Sequence, residues 1–212
     1  VVLLPLCPAR LPRMCRLPAP AHPRSGHTGS MSPSQQIDWT HELTEQLDWY
    51  WTNLARPRLV GLTDEEYLWE PVRDCWTIRV DAEPPTIDWA FPAPEPAPVT
   101  TIAWRLGHVI VGVFAMRNAG HFGGPPADYA SWPWARTAGE ALAQLDEAYA
   151  GWLSGVRALD SAGLAEPCGP AEGPYAAMPM ATLVLHINRE VIHHLAEVAL
   201  LRDLWAHRDP VE

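Results

Sequence analysis

Lysine is absent from this 212-residue chain, whose 15 basic residues are all arginine and face 25 acids, for a formal charge of −10. So acidic a surface argues against a nucleic acid or an anionic membrane as partner. Cysteine is scarce, with four residues (Cys7, Cys15, Cys75 and Cys168) and no close pair among them. That spacing excludes a disulfide framework and a cysteine-based zinc site. Long apolar runs are missing too, so no segment is predicted to span a bilayer. Also absent are a glycine-rich phosphate loop, a nucleophile elbow and a Cys-x-x-Cys pair. Disorder throughout is excluded in turn, because 48% of the residues are hydrophobic, enough to bury a core.

What is present divides unevenly. Residues 1–30 hold six prolines, four arginines and no acid, and Met31 opens a stretch of ordinary composition. The apolar start lacks the basic lead and length of a secretory signal. We read 1–30 as a disordered tail, translated ahead of the true start, and 31–212 as one helical domain.

The periodicity from Met31 onward is helical. Trp39, Leu43, Leu47, Tyr50 and Leu54 form one apolar stripe, which Arg56-Pro57 is expected to close. Thr63 and Glu66 read as a capping box for a short helix ending near Pro71. Residues 81–98 contain six prolines and predict an irregular crossover. A buried helix follows from about Thr100 to Ala119, stopped at Gly120, with a second irregular connection at 121–136. Leu142, Leu145, Tyr149, Trp152, Val156 and Leu159 mark a third long helix. A Gly/Pro-rich link from Gly163 to Pro174 leads to a fourth, from about Ala181 to Trp205. Only Cys75–Val80 has strand composition, and it reads as too short and isolated to make a sheet. The expected fold is all-α, a four-helix bundle with long connections.

Chemistry concentrates on the fourth helix. His186, Arg189, His193 and Glu197 share one polar arc, where histidines are ordinarily solvated. Glu190 and His194 fall instead in an apolar seam with Leu183, Ile187, Val198 and Leu201. A buried carboxylate is costly unless paired or bound to a cation. The i, i+4 spacing offers both side chains to one metal ion. On this helix alone, a buried Glu–His hydrogen bond accounts for the pair equally well. The second helix adds His108 at mid-length, in a seam with Trp104, Val111 and Ala115. Two such helices meeting inside a bundle would bring His108, Glu190 and His194 into a two-His, one-carboxylate site with an open position. Zinc suits those donors best, and nickel, manganese or ferrous iron would accept them.

The segments Thr101–His108, Glu190–His194 and Leu200–Asp203 resemble the DinB/YfiT-like superfamily of metal-binding four-helix bundles, over Ile37 to Trp205. Many members carry a third histidine where this chain has Glu190. The Glu form is similar to the mycothiol-dependent maleylpyruvate isomerase branch, so the resemblance implies His108, Glu190 and His194 as metal ligands. It also implies a low-molecular-weight thiol such as mycothiol as cofactor, and the lysine-free, Arg/Ala/Trp-rich composition fits a high-GC bacterial source. His193 and Arg202 stand as candidate catalytic residues, although Arg202 near a helix C-terminus is more simply explained by the helix dipole or an acidic partner. Trp89, Trp132 and Trp134 on the two proline-rich connections could wall the site, or merely pack their loops.

Three functions follow from these readings. One is a metal-dependent enzyme that adds or transfers a small thiol to an electrophile, or isomerises through the adduct. The second is a hydrolase using metal-activated water, and the third a non-catalytic metal- or ligand-binding bundle. The expected partner is a small-molecule substrate, with neither nucleic acid nor membrane, in a cytoplasmic monomer or homodimer.

Overall fold

In a computed structural model, which describes residues 37–208, the first helix opens where the sequence supplies a cap. The Asp38 carboxylate accepts from the His41 N–H at 3.1 Å and starts α1 (Trp39–Tyr50). The reading of 1–30 as a tail lies outside the described residues.

Pro57 does not end this helix. A wide π turn (Trp51–Ala55) follows α1, with the Arg56 N–H reaching back to the Trp51 carbonyl, and a last turn runs Arg56–Arg58. The wider turn moves the preceding carbonyl away from the proline ring, the clash that normally breaks a helix. It also selects the buried face. Leu43, Leu47, Trp51, Ala55 and Leu59 are all buried. Steps of four drift by about 40° each on a 3.6-residue helix, and the π turn takes up that drift. The stripe read from the sequence is therefore corrected at both ends, since Trp39 is 56% and Leu54 47% exposed.

α2 (Asp64–Tyr67) is capped by Thr63, whose hydroxyl accepts from the Glu66 N–H at 3.2 Å. The next segment does make a ladder, against expectation. β1 (Ile78–Arg79) pairs antiparallel with β2 (Thr86–Ile87), Ile78 opposite Ile87. The partner strand comes from inside the proline-rich crossover, and Asp88 secures it by accepting from the Thr77 N–H.

α3 (Ile102–His108) starts at Thr101, whose hydroxyl accepts from the Trp104 N–H. It widens over Val109–Ala115 and finishes as Met116–His121. Gly120 stays helical, at the usual penalty of about 1 kcal/mol for a helical glycine. The stop is Gly123, whose φ of +69° turns the chain out while Phe122 and Gly124 both donate to the Asn118 carbonyl. α4 (Ala138–Arg157) opens with a full capping box between Thr137 and Glu140. The link after it carries α5 (Ser161–Ala165) and a 3₁₀ turn (Pro170–Tyr175), then α6 (Met180–Ala206).

The long helices form the expected bundle, with α1 and α3 each packed against both α4 and α6. Trp51 stacks on Tyr149 at 3.9 Å, and the Tyr149 hydroxyl donates to Asp48 at 2.5 Å, tying α1 to α4. Among the described residues no helix is long and apolar enough to cross a membrane.

Candidate metal centre

The middles of α3 and α6 face each other across the core. The predicted seams are buried on both sides: Trp104, Val111 and Ala115 on α3, and Leu183, Ile187, Val198 and Leu201 on α6. His108, Glu190 and His194 meet between them, each offering one ligand atom, all within 4.8 Å of one another. The Glu190 Oε2 to His194 Nε2 separation is 3.4 Å, which matches the roughly 3.4 Å between donors on a tetrahedral ion with bonds of about 2.1 Å. Seating an ion requires the third donor to draw in by at most about 1.4 Å, within reach of side-chain rotation. Two imidazole nitrogens and a carboxylate oxygen are a donor set suited to zinc and its divalent neighbours.

Each imidazole is held from behind. His194 Nδ1 lies 2.8 Å from Glu197 Oε2, and the Arg105 guanidinium lies 3.1 Å from the same oxygen. Arg105 is also 3.3 Å from His194 Nδ1, so the guanidinium and the imidazole converge on one carboxylate. His108 Nδ1 lies 2.7 Å from the Tyr129 hydroxyl, which leaves Nε2 as the nitrogen it can offer. Trp104 stacks on the other side of the His108 ring, with 5.5 Å between centroids and 15° between planes. Outer partners of this kind orient ligating histidines and set their basicity.

The surroundings drive the two histidines in opposite directions. Burial, helped by the neighbouring His194, lowers the His108 pKa to about 3, so that ring is neutral. Burial also works against a charge on His194, but hydrogen bonds to Glu190 and Glu197 outweigh it and raise its pKa. The His194 hydrogen bond holds Glu190 down at about 2, fully ionised. Burial keeps the Tyr129 phenol neutral by raising its pKa.

Glu190 is more open than a core seam implies, its side chain 28% exposed. His186 is half-buried, 3.6 Å from Glu190 Oε1, and accepts from Arg189 at 2.8 Å. His193 is 62% exposed and lies 3.5 Å from Glu197. Together with His194 and Glu197 it forms a second group of possible ligands. The Arg105 guanidinium already supplies the positive charge there. Arg202 lies two turns beyond His194 and is fully engaged elsewhere. Its Nε and a terminal nitrogen donate to the two Glu66 carboxylate oxygens, at 2.7 and 3.1 Å, and it also reaches the Arg58 and Val60 carbonyls. Of the loop tryptophans, Trp132 donates to Gln144, Trp134 is core, and Trp89 is exposed. Trp104 is the tryptophan at the cluster. Sequence reasoning left Glu197 on the solvated arc and did not single out Tyr129 or Arg105.

The fold and the cluster together define a helical bundle with a candidate His/Glu/His metal site. A family model, the DinB superfamily, matches residues 46–198, most of the chain, and the chain belongs to that superfamily. No curated protein and no solved structure matches it.

Proposed function

We propose that the protein is a metal-dependent enzyme that adds or transfers a low-molecular-weight thiol, mycothiol-like, to an electrophilic small molecule, or isomerises the molecule through such an adduct. The observation that carries the metal is the convergence of His108, Glu190 and His194 from two helices, with a partner behind each histidine. Those three residues hold the ion, most favourably zinc. When bound, a divalent ion with three protein ligands has a position free and lowers the pKa of a thiol taken up there. The thiol itself is supported by the likeness of this ligand set to the mycothiol-dependent branch of the superfamily.

The residues of the chain do the rest. Neutral His108 and the paired His194 orient the ion, and Arg105 with Glu197 keeps the rear of the site charge-balanced and closed to a second ion. The Trp104 ring stacks on His108 and helps to fix its orientation. The reading takes a cytoplasmic protein, monomeric or homodimeric, with a small-molecule substrate and neither nucleic acid nor membrane as partner.

Incubation of the zinc-loaded protein with an electrophile tests it. Consumption is expected only when a small thiol is present and is abolished by His108→Ala. Turnover of an ester or amide without thiol points to a hydrolase instead. Tight metal binding with neither turnover points to a binding protein.

A further inference from the structure

Tyr129 reaches the metal cluster from outside the bundle, and one missing side chain lets it in. It lies on the irregular connection between α3 and α4, yet its hydroxyl sits 2.7 Å from His108 Nδ1. Gly112 stands one turn past His108, within the widened stretch Val109–Ala115. A Cβ at Gly112 would fall 2.3 Å from the Tyr129 oxygen and 3.2 Å from its Cζ. Any other residue at 112 would expel the phenol, because real Cβ atoms do not approach so closely.

We propose that Tyr129 is a positioning residue for the metal centre, accepting the His108 Nδ1–H on its phenol oxygen so that the Nε2 lone pair faces Glu190 and His194, with Gly112 as the space that admits it. This rests on the metal reading of the preceding subsection. A neutral imidazole has two tautomers, and only the one protonated at Nδ1 can ligate through Nε2. A phenol can accept from that nitrogen without adding a negative charge. A carboxylate in its place would favour imidazolium, as Glu197 does for His194. The two ligating histidines are thus backed differently: one by a charged acceptor, the other by a neutral one. The widened stretch beside His108 acquires a role in the same account, since π-type turns recur at functional sites and this one carries the glycine.

The experiment compares zinc binding by the parent, Tyr129→Phe, Gly112→Ala and the double variant, using competition with a chromophoric chelator. Metal-free melting temperature and NMR detection of the His108 Nδ1–H in the zinc-loaded protein accompany it. Tyr129→Phe is expected to weaken zinc binding by about tenfold, with the metal-free melting temperature lowered only by the few degrees that one lost hydrogen bond costs. Its Nδ1–H, slow to exchange in the parent, should exchange rapidly. Gly112→Ala should lose at least as much affinity, because its Cβ would fall 2.3 Å from the phenol oxygen and 3.1 Å from His108 Nδ1, crowding the ring as well as displacing the phenol. Parental affinity in Tyr129→Phe would overturn the proposal. So would a loss of affinity with slow Nδ1–H exchange retained, for then Tyr129 merely packs the connection. A parent that binds no zinc would overturn the metal reading itself, a result distinct from either.

Discussion

Metal binding at this site should displace one proton, and that proton should come from His194. In the metal-free protein the His194 ring lies between two carboxylates, Glu190 at 3.4 Å and Glu197 at 2.8 Å, with one nitrogen facing each. Both nitrogens then donate, and the imidazolium takes the place of a cation between Glu190 and Glu197. The raised pKa of His194 expresses this arrangement, whereas His108, lowered to about 3, has no proton to give near neutrality. A ligating His194 must be neutral, so every ion bound below its pKa releases one proton. Zinc affinity should therefore rise about tenfold per pH unit, equivalent to ~1.4 kcal/mol, up to a break above the ordinary histidine value of about 6.5, and then flatten. Titration calorimetry in buffers of different ionisation enthalpy counts the protons directly. More than half a proton per ion is expected at pH 6.5, because the His194 pKa lies above that value, rising towards one as the pH is lowered. Glu197→Gln removes one of the two acceptors and should move the break to lower pH. Release of two protons below about pH 6, where a zinc-bound water stays largely un-ionised, would mean that His108 is also charged, and release of none that His194 is not held as imidazolium. Either result would refute the reasoning.

Three further outcomes are expected. His108→Ala and Glu190→Gln each remove a ligand and should weaken zinc binding by more than about 100-fold, beyond the range for residues behind the ligands, while exposed His193→Ala leaves it near the parent in the same competition titration. In the metal-free protein, the unfolded state binds a proton at position 108 below pH 6.5 while the folded state does not until about pH 3. Stability should thus fall with pH through that window by up to ~1.4 kcal/mol per unit from this group, and urea titrations of His108→Gln should show a shallower slope above pH 4.5. Arg202→Ala leaves Glu66, whose side chain is 4% exposed, without its ion-pair partner. It should lower unfolding free energy by about 3 kcal/mol while leaving zinc affinity intact, which separates a structural Arg202 from a catalytic one.

The fold was legible because its helices are long and their apolar positions recur at helical spacing. The least legible features were local departures from that period. Leu43, Leu47, Trp51, Ala55 and Leu59 form a strict four-residue series, which an ideal α-helix cannot keep on one face and a π turn can. The larger side chains of Trp39 and Leu54 suggested a different stripe, and both proved to be exposed. The two-residue ladder at Ile78 escaped notice for a related reason. Its stability comes from Asp88 and from Thr101, whose hydroxyl donates to Thr77 at 2.8 Å. Those partners lie 11 and 24 residues away in sequence, and no local pattern announces them.

The same contrast runs through the candidate metal site and explains why its candidate ligands could be named while the residues behind them could not. A ligand in a bundle core must occupy a seam position, so helical period exposes it as a polar residue where an apolar one belongs; His108 and His194 stood out on that ground. A residue behind a ligand is under no such constraint. Glu197 lies on the solvated arc of α6 and becomes a partner of His194 because its side chain turns inward, where Arg105 from another helix meets it. Its one local sign is the i, i+3 spacing from His194, which surface pairs share. Tyr129 comes from a connection without period, and the feature that admits it is a glycine in an otherwise apolar stretch. An isolated helical glycine carries a penalty that packing must justify. Had Gly112 been questioned on that principle, a close neighbour on its face would have been expected, one turn from His108 and beside a ligand.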